Sequence, residues 1–125
     1  MWFSIDFNSH VPVYKQIKEK IKSMIVTGKL KKGAFVPSIR SLAKDLGVNL
    51  NTVSRAYREL VLEGILKVVR GEGYVVEGLD TERFLGKKLE EFRKMVLTLK
   101  GDGIEYEKLE GILREVYGGE RNAES

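Results

Sequence analysis

Pro37-Ser38-Ile39-Arg40-Ser41-Leu42-Ala43-Lys44-Asp45-Leu46-Gly47-Val48-Asn49-Leu50-Asn51-Thr52-Val53-Ser54-Arg55-Ala56-Tyr57-Arg58-Glu59-Leu60 decides the fold. Ile39, Leu42, Ala43 and Leu46 recur at helical spacing and make one apolar stripe. Ser38 stands where a side-chain oxygen caps a helix start. Gly47 follows the last apolar residue, where a left-handed backbone ends helices. Val48 fills a short turn, and Asn49 is placed to cap a further helix running to about Glu63, before Gly64. In that helix Val53, Tyr57, Leu60 and Val61 share one side, and Asn51, Ser54, Arg55 and Arg58 share another. Two capped helices joined by a very short glycine turn are the helix-turn-helix arrangement.

Upstream, Phe3, Ile5 and Phe7 alternate with polar residues, which predicts a short strand. Pro12 suits a first helical turn. Val13, Ile17, Ile21, Met24 and Ile25 predict a helix ended by Gly28, and Lys29-Leu30-Lys31-Lys32-Gly33 is a basic turn. Downstream, Ile65 to Arg70 and Tyr74 to Glu77 are rich in β-branched residues and flank Gly71-Glu72-Gly73, which predicts a hairpin. The expected class is mainly α with a small β-wing: a winged helix-turn-helix at 10–78, followed by a C-terminal helical hairpin. In that hairpin Leu85, Leu89, Phe92, Val96 and Leu99 form one coiled-coil-like seam, and Tyr106, Leu109, Leu113 and Val116 a second. Residues 79–118 are expected to be a two-helix dimerisation region, and 119–125 a flexible tail.

Charge is unevenly distributed. The chain carries +4 overall, but His10 to Gly78 holds thirteen Lys/Arg against six Asp/Glu, a net +7, and Leu79 to Ser125 holds nine against eleven, a net −2. A basic front part suits a polyanion, although an excess of this size also arises by chance. The helix at 50–63 has the division that reading a DNA groove requires. One stripe packs on the protein, while Asn and Arg side chains near the N-terminus reach base edges, Asn suiting adenine and Arg guanine or phosphate. Arg70 beside Gly71 at the hairpin tip suits a narrow minor groove. Lys29, Lys31 and Lys32 suit phosphates. Taken alone, a polar helix face is ordinarily a solvated face and Gly71-Glu72-Gly73 an ordinary turn. The joint order of capped helix, glycine turn, polar-faced helix and glycine-tipped hairpin favours DNA.

Enzyme chemistry has little support. Cysteine is absent and His10 is the single histidine, and no metalloprotease, phosphate-loop or nucleophile-elbow pattern occurs. No catalytic residue, metal site or cofactor is therefore expected. Nor does any stretch have the length of a membrane span. The first nine residues lack a basic export-signal region, so the expected location is cytoplasmic and no membrane partner is expected.

Pro12-Val13-Tyr14-Lys15-Gln16-Ile17, Gly28 to Gly33, Pro37-Ser38-Ile39-Arg40, Leu42-Ala43, Thr52-Val53, Ala56-Tyr57, Leu60, Glu63-Gly64 and Gly71-Glu72-Gly73, taken in series, resemble the GntR family of bacterial transcription regulators. The resemblance covers about 10–78. It implies a winged helix-turn-helix that binds a palindromic operator in double-stranded DNA as a homodimer, and repression is the expected action of this chain. Carried over to this chain, the DNA-binding positions are Ser38, Arg40, Asn49, Leu50, Asn51, Thr52, Ser54, Arg55, Arg70 and Gly71. Many members have Arg where this chain has Leu50, which cannot donate a hydrogen bond; a thymine methyl and simple packing both remain open for it. The 47 residues after Gly78 are similar to the short two-helix part of the YtrA-type subgroup. Seams on both helices then imply pairing with a second copy, burying Leu89, Phe92, Val96, Leu109 and Leu113. Folding back onto the winged part is the alternative. A small-molecule effector is left open. A non-specific nucleoid-type or RNA-binding protein is the competing functional reading.

Overall fold

The computed structural model describes the backbone of residues 2–124 and the side chains through Gly118. Two compact units divide at Thr81 and Glu82.

The first unit holds α1 (Val13–Val26), α2 (Ile39–Leu46), α3 (Leu50–Leu62), β1 (Leu66–Val69) and β2 (Gly73–Val76). Helix α3 packs against α1, α2 and β1 and is the centre of the unit. Its Val53, Ala56, Tyr57 and Leu60 are fully buried, together with Ile17 and Ile21 of α1 and Leu42 of α2. Burying each large aliphatic or aromatic side chain stabilises the fold by roughly 1.5–3 kcal/mol, so the face of α3 that packs inward is strongly fixed. The face that remains outward follows from that.

Local chemistry sets the helix-turn-helix. The Ser38 Oγ accepts from the Ser41 N–H at 3.1 Å and opens α2. Gly47 then adopts φ 67°, a left-handed conformation that costs a side-chain-bearing residue about 1–2 kcal/mol. Its N–H donates back to the Lys44 carbonyl, and that of Val48 to the Ala43 carbonyl, which closes the helix end. Asn49 Oδ1 accepts from the Asn51 N–H at 2.7 Å and starts α3.

Strands β1 and β2 pair antiparallel with Leu66 opposite Val76 and Val69 opposite Gly73. Leu66 and Val76 turn inward to the core. Glu72 N–H donates to the Val69 carbonyl at 2.9 Å across the Arg70-Gly71 tip, and Gly71 has φ 80°.

Two elements differ from the sequence expectation. Phe3 to Phe7 is not a strand. No neighbouring strand offers it a ladder; instead the Gln16 side chain donates to the Asp6 carbonyl at 3.0 Å and accepts from the Asp6 N–H at 2.9 Å. Trp2, Phe3 and Ile5 still pack against the core, so the first unit begins ahead of residue 10. Conversely, the stretch after the basic turn supplies a third, bridge-like edge to the wing. Phe35 pairs with Val75, Val36 N–H donates to the Tyr74 carbonyl at 3.0 Å, and Val76 N–H donates to the Ala34 carbonyl at 2.9 Å. That contact covers an edge of β2 that would otherwise expose unpaired backbone groups.

The second unit comprises most of α4 (Thr81–Gly101) and all of α5 (Tyr106–Glu124). No residue of α4 is buried. Leu89 is 67% exposed and Phe92 52% exposed; Leu85, Tyr106, Leu113 and Val116 are also exposed, whereas Val96, Leu99 and Leu109 are half-buried. The expected tail, 119–125, coincides with the last turns of α5 and Ser125, whose side chains lie outside the described residues.

Candidate nucleic-acid interface

The residues singled out by sequence occupy three places on the first unit. Ser38 and Arg40 stand at the start of α2, both exposed. Asn49, Leu50 and Asn51 are exposed at the start of α3, with Thr52 and Ser54 half-buried and Arg55 exposed behind them. Arg70 and Gly71 are exposed at the hairpin tip. Helices α2 and α3 are packed together, which brings the first two groups onto one rigid pair of helices. The Ser38 and Asn49 side-chain oxygens are committed to caps. Asn49 therefore keeps its amide N–H groups and one Oδ1 lone pair for other partners, and Asn51 beside it is exposed.

Arg40, Arg58 and Arg70 engage in no ion pair among the described residues. A guanidinium held by its own protein loses donors for phosphate or base edges; these three retain all of theirs. Leu50 is 43% exposed and offers an apolar surface in the middle of this polar group.

Sequence reasoning missed an ion-pair chain on the side where α1 meets α3. Lys18 Nζ lies 2.9 Å from Glu59 Oε1 and 2.6 Å from Glu63 Oε2. Lys22 Nζ lies 3.0 Å from Glu63 Oε1. Arg55 Nε donates to Glu59 Oε2 at 3.1 Å, and its guanidinium carbon sits 3.7 Å from the centroid of the Tyr14 ring. Burial pushes the Lys18 ammonium down, but hydrogen bonds to Glu63 and Glu59 outweigh it and the net shift is upward. Hydrogen bonds from Lys18 and Arg55 hold the Glu59 carboxyl below its ordinary value. For Glu63 burial acts upward, and bonds from Lys18 and Lys22 overcome it to leave the group lowered. The Arg55–Glu59 pair was visible as an i, i+4 spacing; Lys18 and Glu59 lie 41 residues apart, and only the tertiary fold joins them.

Tyr57 ties α3 to the start of α2 from inside. Its hydroxyl donates to the Pro37 carbonyl at 2.6 Å, directly ahead of the Ser38 cap. Its ring meets Tyr74 edge to face at 5.0 Å. Burial pushes the Tyr57 hydroxyl pKa up, so it stays a donor.

The described residues contain no cluster of His, Asp or Glu suited to a metal ion, and no helix long and apolar enough to cross a membrane. Three helices with a tight α2–α3 turn, followed by a two-stranded hairpin, define the winged helix-turn-helix class.

Comparison with known proteins narrows the class. Residues 13–76 match the family described as bacterial regulatory proteins, gntR family. The HTH-type transcriptional repressor YtrA of Bacillus subtilis strain 168 is 37% identical over 94% of this chain and 97% of its own length. Among solved structures, YtrA from Sulfolobus acidocaldarius, a GntR-family transcription factor, is 42% identical with a TM-score of 0.58, covering 74% of this chain and 95% of that one. The AraR DNA-binding domain in complex with operator ORX1 is 31% identical with a TM-score of 0.55, covering 59% of this chain and 94% of that one. The chain belongs to the GntR family of bacterial regulatory proteins. Its similarity to YtrA extends through the helical C-terminal part, as the YtrA-type resemblance implied, and DNA-binding transcriptional regulation is the activity that family membership gives it.

Proposed function

We propose that this chain is a sequence-specific repressor that binds a palindromic operator in double-stranded DNA as a homodimer. The start of α3 lies against base edges in the major groove. There Asn49, Asn51, Thr52, Ser54 and Arg55 contact DNA and Leu50 faces a thymine methyl. Ser38 and Arg40 bind phosphate beside it, and Arg70-Gly71 reaches into the minor groove. The apolar faces of α4 and α5 hold the two copies together, through Leu85, Leu89, Phe92, Val96 and Leu99 on one and Tyr106, Leu109, Leu113 and Val116 on the other. The protein acts in the cytoplasm, where its DNA is, and binding needs no cofactor or metal.

The observation that carries this reading is the division of α3. Val53, Ala56, Tyr57 and Leu60 are fully buried, which leaves Asn51, Arg55 and Arg58 exposed along the opposite side. The exposed Leu89, Phe92 and Val116 support self-association, because a monomer would leave that apolar surface in water. Selection of bound duplexes from a random pool tests the reading. The expected result is enrichment of an inverted repeat with half-sites about one helical turn, or a multiple of it, apart. Binding should favour that site over random DNA by roughly 10³-fold or more. A pool that remains random would point to a non-specific nucleoid-type or RNA-binding protein instead.

A further inference from the structure

Arg55 differs from the other arginines of the proposed interface, because its position is set from the far side of the helix pair. Its Nε is bonded to Glu59 and its guanidinium carbon sits over the Tyr14 ring of α1, 3.7 Å from the centroid. Glu59 is in turn held by Lys18 of α1, and Lys18 by Glu63, which also binds Lys22. The charges alternate along the whole chain of contacts, so the carboxylate next to the DNA-facing side is neutralised from both sides. A guanidinium presents its donors as two edges. With Nε taken by Glu59, the outer edge, formed by Nη1 and Nη2, is the one left to bind, and the side chain is still 52% exposed.

Resting on the proposed function, we infer that Glu59 and Tyr14 are positioning residues that fix Arg55 as a pre-set two-donor fork for a guanine edge or a phosphate. A free arginine is a flexible side chain, and immobilising it on binding costs affinity. Holding it beforehand, at the expense of the folding free energy, removes that cost. The arrangement also accounts for a carboxylate placed one helical turn behind a DNA contact, where a bare negative charge would repel phosphate.

The test is a double-mutant cycle on the wild-type-selected operator duplex, measured by equilibrium binding with the full chain. Arg55→Ala is expected to weaken binding by about 5- to 100-fold, the range for loss of a bidentate contact. Glu59→Gln should weaken it by about 3- to 10-fold, as expected for releasing one long side chain. That loss runs against net charge, since removing a negative charge by itself strengthens binding to a polyanion. In the Arg55→Ala background, Glu59→Gln should have no further weakening effect. Tyr14→Phe keeps the ring face and should retain binding, while Tyr14→Leu should not.

In the free protein, the Arg55 Nε–H resonance should be resolved and protected from exchange, and Glu59→Gln should remove that protection. A merely structural network would lower the unfolding midpoint and weaken binding equally with or without Arg55, which would overturn the inference. Tighter binding by Glu59→Gln would also overturn it, since Arg55 would then be sequestered rather than pre-set. If Arg55→Ala leaves affinity unchanged while Arg40→Ala weakens it, the DNA-binding reading stands and this inference falls. If the wild-type chain selects no sequence at all, both fall.

Discussion

Removing one oxygen atom, in Tyr57→Phe, isolates the bond that joins α3 to the start of α2. The ring is fully buried and stays in place, so its edge-to-face contact with Tyr74 at 5.0 Å survives. Only the 2.6 Å bond to the Pro37 carbonyl is lost. A neutral hydrogen bond contributes about 1 kcal/mol net, and an acceptor left unsatisfied in the interior costs about 1–3 kcal/mol. Pro37 is half-buried, so water reaches the freed carbonyl in part, and the lower half of that range applies. The expected loss is about 1.5 kcal/mol. For a unit ending at Thr81, that is roughly 6–12 °C in Tm on the scaling for domains of this size. Urea unfolding followed by Trp2 fluorescence is the assay. Trp2 is the single tryptophan and packs against the core of this unit, so the signal reports on the unit that holds Tyr57. A loss below about 0.5 kcal/mol would refute the reasoning, because water would then replace the hydroxyl without cost.

Other perturbations bear on separate parts of the account. Gly47→Ala should destabilise the first unit by about 1–2 kcal/mol, since alanine must adopt the left-handed backbone of the α2–α3 turn; an unchanged urea midpoint would contradict this. Phe92→Glu should convert dimers to monomers on a sizing column, and a variant that remains dimeric would refute the proposed seam. The ion-pair chain predicts a pH window. Glu59 and Glu63 sit below their ordinary 4.5, so their stabilisation is complete above that value and lost as pH falls through the lowered pKa. Lys18 sits above its ordinary 10.5, so its share is complete below that value and lost as pH rises through the raised pKa. The Tm advantage of wild type over Glu63→Gln should therefore be flat from about pH 5 to about pH 10 and shrink as pH falls through the lowered carboxyl pKa. A gap that persists undiminished into acid strong enough to protonate the folded carboxyl would contradict the assignment.

What could be read from the residues alone was local chemistry. Ser38, Gly47 and Asn49 act within three or four residues of themselves, so their roles as cap, stop and cap follow from type and position. The buried side of α3 followed from spacing. What escaped was set by partners distant in sequence. The Gln16 amide takes the place of a strand partner for Asp6, ten residues earlier, so alternation at Phe3, Ile5 and Phe7 misleads. Phe35 and Val36 become an edge of the wing only because β2 folds back some forty residues later. Arg55 was legible as a member of the polar, DNA-facing side of the helix, but not its contacts with Tyr14 and with a carboxylate bound by Lys18.

The central claim is that the start of α3 is the surface that meets DNA. Amide chemical-shift mapping of the full chain, titrated with the duplex it enriches from a random pool, tests it most directly. The account predicts the largest shifts at Asn49 to Arg55, with Ser38 to Arg40 and Arg70-Gly71 next, and little change in the core-facing residues of α1. Shifts confined to α4 and α5, with α3 unmoved at saturation, would contradict it.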